Sequence, residues 1–330
     1  MTSHLEEQYQ TSWQERQTFA ENMQPITGQL FRNKGIEISI YGRPLVNASA
    51  IDIIKAHRSV ALHEENKLRL RESFPFLQAL AKMELAPARI DVGKLAYRYL
   101  FKGEANGLSI EQFLEKELAT IVAKGNDVQE TKDVVLYGFG RIGRLLARLL
   151  IERAGPNAKL NLRAIVIRPG KEDDLEKRAS LLRRDSVHGA FNGSITIDKE
   201  NNVIKANGAF IKIIYAKSPS EIDYTAYGIN DALVVDNTGI WSDEEGLGQH
   251  LQSKGVAKVL LTAPAKGDIK NIVFGVNDDM ILADDKIISA ASCTTNAITP
   301  VLKALNDEFG IRNGHVETVH SYTNDQNLID

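Results

Sequence analysis

The stretch DVVLYGFGRIGRLLARLLIERAG, residues 133–155, decides the fold. DVVLYG reads as a short β run and RIGRLLARLLIERAG as a helix. LNLRAIVIR, residues 160–168, reads as a second β run, so the three segments form a βαβ unit. Gly138, Gly140 and Gly143 lie between strand and helix in the order G-x-G-x-x-G. Alone the spacing is weak, because glycine is common; at a strand-to-helix turn it has a physical meaning. The first glycine permits the tight turn, the second lets a pyrophosphate approach the backbone, and the third lets helix and strand pack closely. The N–H groups of the helix start then face the anion. The bland alternative is a tight structural turn.

Further β runs follow: SITID (194–198), NVIKA (202–206), AFIKIIYA (209–216), DALVVDN (231–237), AKVLLTAP (257–264), NIVFGVN (271–277) and KIISAAS (286–292). Alternation in SITID and NVIKA predicts a surface hairpin turning at KENN. The apolar blocks LVV and VLL predict strands covered on both faces, as in a parallel sheet. At the end of the second strand, sites that prefer NAD place an acid that holds the ribose 2′-hydroxyl. This chain has Arg168 there, which can pair with a 2′-phosphate, so NAD and NADP are both open. The alternative is that Arg168 faces solvent and Glu172, Asp173 or Asp174 takes the acid's place.

The chain has 330 residues, enough for two or three domains. Apolar residues make up 43%, charged residues 25%, and the formal net charge is −3, which advertises neither a nucleic-acid nor a membrane surface. No apolar run approaches the ~18 residues that span a bilayer. The start MTSHLEEQYQ is acidic and polar, unlike a secretory signal, and a single cysteine forms no internal disulfide. A cytoplasmic location is the expectation. Residues 1–130 read mostly helical, with capping-box spacings at Ser3–Glu6 and Ser109–Gln112. After Ser109, the residues Ile110, Phe113, Leu114, Leu118, Ile121 and Val122 share a helix face that ends at Gly125. A second face runs through Ile51, Ile54, Val60 and Leu62. His57 and His63, beside Glu64 and Glu65, read as a solvated helix face, and no metal-ligand cluster is evident. GNDVQETKD (125–133) reads as a linker.

The only cysteine, Cys293, follows KIISAAS and opens TNAITPVLKALNDEF, a helix predicted to run through Phe309 and stop at Gly310. Pro300 inside it predicts a kink or a late start. A helix N-terminus favours a thiolate, and Ser292, Thr294 and Thr295 supply hydroxyls for an oxyanion or phosphate. A lone cysteine is also often a small core hydrophobe. GHVETVHSYT reads as a strand with His315 and His320 on opposite faces, so one imidazole could serve the thiol as a base.

YGFGRIGR, RDSVHGAF, DNTGIW, TAPAKG, FGVN, AASCTTN and ETVHSYTNDQNLID occur in the order found in phosphorylating glyceraldehyde-3-phosphate dehydrogenases. The resemblance covers roughly residues 132–330, and the helical first part is similar to the extension of some long bacterial members. It implies an α/β fold: a helical extension (1–130), a Rossmann-like doubly wound NAD(P)-binding domain (131–292) and the start of an α+β catalytic domain (293–330). It implies that Cys293 attacks the aldehyde of glyceraldehyde 3-phosphate, with His320 as base, and that inorganic phosphate cleaves the thioester to 1,3-bisphosphoglycerate. Ser292 and Thr294 match residues near the attacking phosphate, and Thr323 one that holds the substrate's own phosphate. Gly138, Phe139, Gly140, Arg141, Ile142 and Gly143 match the pyrophosphate cradle. Arg168, Lys217, Thr238, Gly239, Thr262 and Asn324 match positions along NAD or NADP. Tyr137 stands where an asparagine is usual, and Arg168 where an acid is usual.

Family chains run well past the equivalent of Asp330, so the resemblance implies a truncation within the catalytic domain. On that reading the 330 residues alone lack turnover, and a homo-oligomer belongs to the complete chain. Two other classes stay open: a non-catalytic dinucleotide-binding fragment, and a regulatory scaffold built on the extension. Erythrose-4-phosphate dehydrogenase, which shares the thiol motif, is the alternative enzyme.

Overall fold

The computed structural model describes residues 2–122, 131–155, 158–170 and 174–319. It separates into two units, 1–130 with 155–158, and 131–154 with 159–330. Among the described residues no helix is long and apolar enough to cross a membrane.

In the first unit, α1 (Thr2–Lys34) leads into β1 (Ile36–Ile40), β2 (Arg43–Pro44), α2 (Ala50–Ser59), α3 (Leu70–Lys82), β3 (Ala88–Asp91), α4 (Val92–Phe101), α5 (Ile110–Glu117) and α6 (Ala119–Val122). The helical expectation holds, with a small sheet of order β2-β1-β3 added. β1 pairs parallel with β3 and antiparallel with β2. Its sequence IEISI alternates, and Ile36, Ile38 and Ile40 are fully buried against Met23, Ile53, Phe76 and Leu80. Only period two over five residues marked this strand.

Several local expectations need correction. α1 already begins at Thr2, so Ser3 lies inside the helix rather than ahead of it. The Ser109–Gln112 capping box does form, but the helix breaks at Leu118 (φ −105°, ψ 14°) and resumes as α6; Gly125 lies outside the described residues. Phe113, Leu114 and Leu118 are buried, whereas Val122 is exposed. In α2 the buried face is Ile53, Ile54, Ala56 and His57; Ile51 and Leu62 are exposed, so the predicted face was rotated. Of the predicted linker, residues 125–130 lie outside the described residues, and Lys132 and Asp133 already pair in a strand.

The second unit contains β4 (Lys132–Tyr137), α7 (Arg141–Glu152), β5 (Leu160–Ile167), α8 (Asp174–Arg183), β6 (Arg184–Asp185), β7 (Gly189–Ala190), β8 (Ile195–Asp198), β9 (Val203–Ala206) and β10 (Ala209–Tyr215). β11 (Ala232–Asp236), α9 (Glu244–Gly248), β12 (Val256–Leu261), β13 (Ile287–Ser289) and α10 (Cys293–Phe309) complete it. Eight strands form one sheet of order β13-β12-β11-β4-β5-β10-β9-β8. The six from β13 to β10 are parallel, and β9 and β8 add antiparallel pairs. This is the α/β dinucleotide-binding architecture expected, with the SITID–NVIKA hairpin formed as predicted. The sheet is covered on both faces: Val134 and Leu136 of β4 enter one core with Ala147 and Ile165, and Val135 and Tyr137 enter another with Val166 and Val234.

Among the described residues, two predicted strands do not form. Residues 271–277 make a single bridge at Asn271 and then turn. Gly275 takes φ +77°, and the Asn277 side chain accepts from the Val273 N–H at 2.8 Å, so turn chemistry overrides the apolar run. Residues 313–319 form no strand and are exposed, including His315, because no described residue pairs with their backbone; the rest of that predicted strand lies outside the described residues.

His57 is the sharpest correction: it is buried, not solvated, at 3% exposure. Its Nδ1 lies 2.8 Å from the Ile53 carbonyl, which can only accept, so Nδ1 carries the proton. Nε2 then accepts from the Ser73 hydroxyl at 2.7 Å. Burial pushes the His57 pKa down to about 4, against the opposing backbone bond to Ile53. The unfolded chain gains this proton near the ordinary value of 6.5, the folded chain only near 4. The unfolded state therefore binds more protons between those values, and stability falls as pH falls through that window. We expect His57 to remove up to ~3 kcal/mol from the first unit between pH 6.5 and 4. Denaturant titrations of Trp13 fluorescence in a Trp241→Phe background check this; His57→Gln should flatten the slope in that window.

Candidate functional site

The chain passes from β4 to β5 and β10 on one side, then returns to β11 on the other side of β4. That reversal opens a crevice at the carboxyl ends of the parallel strands, where open α/β sheets bind ligands. A pocket of about 300 Å³ lies there, lined by Gly138, Phe139, Gly140, Arg168 and Thr238 among the sequence-predicted residues, and by Tyr137, Arg178 and Trp241 among those not predicted. The three glycines have separable reasons. Gly138 takes φ +95°, and a Cβ there would lie 2.9 Å from Thr238. A Cβ on Gly143 would stand 2.4 Å from the Gly138 carbonyl oxygen, so this glycine sets how closely α7 approaches β4. A Cβ on Gly140 would meet nothing within 4 Å; that space is left for a ligand. α7 starts after Gly140 with no side-chain cap, and a helix start of this kind suits an anion. These observations fit a dinucleotide pyrophosphate.

Arg141 and Ile142 open α7, but neither side chain lines the pocket. Arg141 reaches Asp185 at 3.7 Å, and Ile142 is exposed. Asp185, in RDSVHGAF, also accepts from the Val187 and His188 N–H groups and lies 3.7 Å from Arg144. Burial raises its pKa, but the His188 backbone and ring, Val187 and Arg141 outweigh that and hold it down to about 2. The motif thus ties the start of α7 to the turn after α8.

The DNTG turn rests on a pair that the sequence reading missed. Asp236 and His250 are fully buried, and His250 Nε2 donates to Asp236 Oδ2 at 2.9 Å. The other carboxylate oxygen accepts from the Thr238 N–H and hydroxyl at 2.8 and 2.7 Å. Thr262 does not line the pocket; its hydroxyl bonds the Asp236 carbonyl at 3.0 Å and braces the same turn. Gly239 supplies the left-handed residue, φ +67°. The Tyr137 ring meets the His250 ring edge-on at 4.7 Å, an apolar wall at the position where an asparagine was expected. Lys217 is exposed and outside the pocket lining. No sequence signal marked His250, which sits in the ordinary-looking run GQHLQ.

The thiol stands at the same edge of the sheet. β13 lies three strands from β4, or roughly 14 Å at ordinary strand spacing. Ser289 at its end donates to the Ala263 carbonyl at 2.6 Å and accepts from the Ala291 N–H at 2.9 Å. Ala291 is buried in the left-handed region, φ +58°, which makes a sharp strand-to-helix turn. Ser292 caps α10 by accepting from the Thr295 N–H at 2.9 Å, and Cys293 is the exposed first residue. Asn296 staples the turn through the Ala290 carbonyl at 2.7 Å, a role the sequence reading did not assign. The helix start is not delayed by Pro300, and Gly310 ends it as expected. Thr294 sits in its first turn beside the thiol. His320, Thr323 and Asn324 lie outside the described residues.

With this geometry in place, comparison with known proteins is direct. The family model described as the NAD binding domain of glyceraldehyde 3-phosphate dehydrogenase matches residues 132–244, and that of its C-terminal domain matches 292–330. A Pseudomonas aeruginosa protein named glyceraldehyde-3-phosphate dehydrogenase-like protein is 60% identical over 311 residues, 93% of this chain and 67% of its own length. The chain belongs to the glyceraldehyde-3-phosphate dehydrogenase family. Glyceraldehyde-3-phosphate dehydrogenases of Thermotoga maritima and Zymomonas mobilis are each 41% identical, over 60% of this chain and 56% of their own length. The chain thus spans about two thirds of the Pseudomonas relative and just over half of the other two. The Pseudomonas alignment is long enough to take in most of residues 1–130, which the two family models do not match.

The glycines of this family member give a paired expectation. Gly143→Ala should destabilise the second unit by about 1–3 kcal/mol, because the backbone must move to admit the methyl. Gly140→Ala should change stability by less than ~1 kcal/mol yet weaken dinucleotide binding about tenfold or more. Thermal melts and NADH titrations of the two variants check both.

Proposed function

We propose that this chain carries the dinucleotide site and the nucleophile of a phosphorylating glyceraldehyde-3-phosphate dehydrogenase, with residues 131–292 as the dinucleotide domain and 293–330 as the start of the catalytic domain. The observation that carries the reading is the thiol: Cys293 is exposed at the capped start of α10, on the same carboxyl edge of the sheet as the glycine-cradled pocket.

The nicotinamide dinucleotide, when bound, supplies the hydride acceptor. The residues that would hold it are Gly138, Phe139, Gly140 and the first-turn N–H groups of α7 at the pyrophosphate, with Thr238 along the opposite wall and Gly239 shaping its turn. Cys293 Sγ adds to the aldehyde carbon of glyceraldehyde 3-phosphate, and His320 takes the thiol proton. Loss of hydride from that carbon leaves a thioester on Sγ. An oxygen of inorganic phosphate, held near Ser292 and Thr294, attacks the thioester carbonyl; the C–S bond breaks, and 1,3-bisphosphoglycerate leaves as the thiolate is regenerated. Thr323 holds the substrate phosphate, and Asn324 contacts the cofactor. The first-turn N–H groups of α10 suit the oxyanion that forms at each addition step. Lys217, exposed and outside the pocket lining, is not part of this site.

Steady-state NAD(P)H formation by the full-length gene product, from glyceraldehyde 3-phosphate and phosphate, tests this. Cys293→Ser should lower kcat/KM by roughly three orders of magnitude while dinucleotide affinity stays within about twofold. Retained turnover in that variant would remove Cys293 from the chemistry.

A further inference from the structure

We infer that Arg178, together with Arg168, selects a dinucleotide whose adenosine ribose carries a 2′-phosphate over one that carries a 2′-hydroxyl. The inference rests on the dinucleotide reading of the pocket and adds to it the cofactor form that the pocket takes.

Arg168 is the first residue beyond β5, where a dinucleotide in this fold places its adenosine ribose. It is exposed, lines the pocket, and makes no hydrogen bond or ion pair with any described residue. Arg178 comes from α8, ten residues along the chain, and lines the same pocket. Its side chain is 28% exposed, and its Nε is held by the Asp174 carboxylate at 3.3 Å, one helical turn earlier. That contact uses the Nε edge; among the described residues neither Nη group donates a hydrogen bond.

Asp174 is the only described residue of the three acids that stand as alternatives for the ribose hydroxyl. Its side chain is 10% exposed, it is committed to Arg178, and it packs against Gly170, where a Cβ would lie 2.7 Å from the carboxyl carbon. It does not line the pocket. Among the described lining residues there are two guanidiniums and no carboxylate. A ribose diol is held best by a carboxylate, and none of the described lining residues supplies one. A phosphate dianion needs donors and finds two forked ones, whose charge-assisted bonds are about twice as strong as neutral ones.

The test uses the 330-residue chain and the fluorescence of Trp241, which lines the pocket. NADPH should bind about tenfold or more tightly than NADH. Arg178→Gln should raise the NADPH Kd about tenfold and leave the NADH Kd within twofold, and Arg178→Lys should fall between. In the unaltered chain, 2′-AMP should displace NADPH more readily than 5′-AMP does, and inorganic phosphate at the same concentration should leave it bound. Equal affinity for the two cofactors overturns the inference, as does an Arg178→Gln variant that loses both equally or neither. If neither NADH nor NADPH binds the unaltered chain, it is the dinucleotide reading of the pocket that fails.

Discussion

Helix α7 can lie against β4 only because Gly143 has no Cβ; the Gly138 carbonyl occupies that space. This contact fixes the angle at which the chain leaves the central strand, and with it the direction of the uncapped N–H groups at the start of α7. Because β4 sits where the strand order reverses, the same contact sets the floor of the crevice. The opposite wall is the Asp236–Gly239 turn, which Gly138 also touches: a Cβ on Gly138 would strike Thr238. Two glycines therefore position both sides of one pocket by what they lack.

The walls are held by buried polar side chains that bond one another. Asp236 is satisfied by His250 on one oxygen and by Thr238 on the other. Asp185 links the α7 arginines to the His188 turn. Removing one partner of such a pair strands the other in a medium that cannot solvate it, typically at a cost of about 3–5 kcal/mol. These residues touch no proposed reacting atom, yet they brace the DNTG and RDSVHG turns. That is a physical reason for the two motifs beyond the residues assigned to ligand.

Legibility divided by range. The βαβ unit, the hairpin at KENN, the Ser109 cap and the Cys293 helix start depend on neighbours a few positions apart, and each was readable. Apart from one local turn, failures came where a distant partner, or its absence, decided. The run at 271–277 has strand composition, but Gly275 and the Asn277 side chain close it into a turn. Residues 313–319 have strand composition but no described partner. His57 looked solvated because it stands beside charged residues, whereas its ring is buried against Ser73, sixteen positions on.

By itself the sequence determined the order of elements, the glycine-lined turn and a thiol opening a helix, because backbone sterics, periodicity and capping act locally. The return of β11 beside β4, the buried hydrogen bond between Asp236 and His250, and the placing of Arg168 and Arg178 along one pocket came from the three-dimensional fold. Those facts join residues many positions apart in the chain, and such contacts form only when the sheet brings them together.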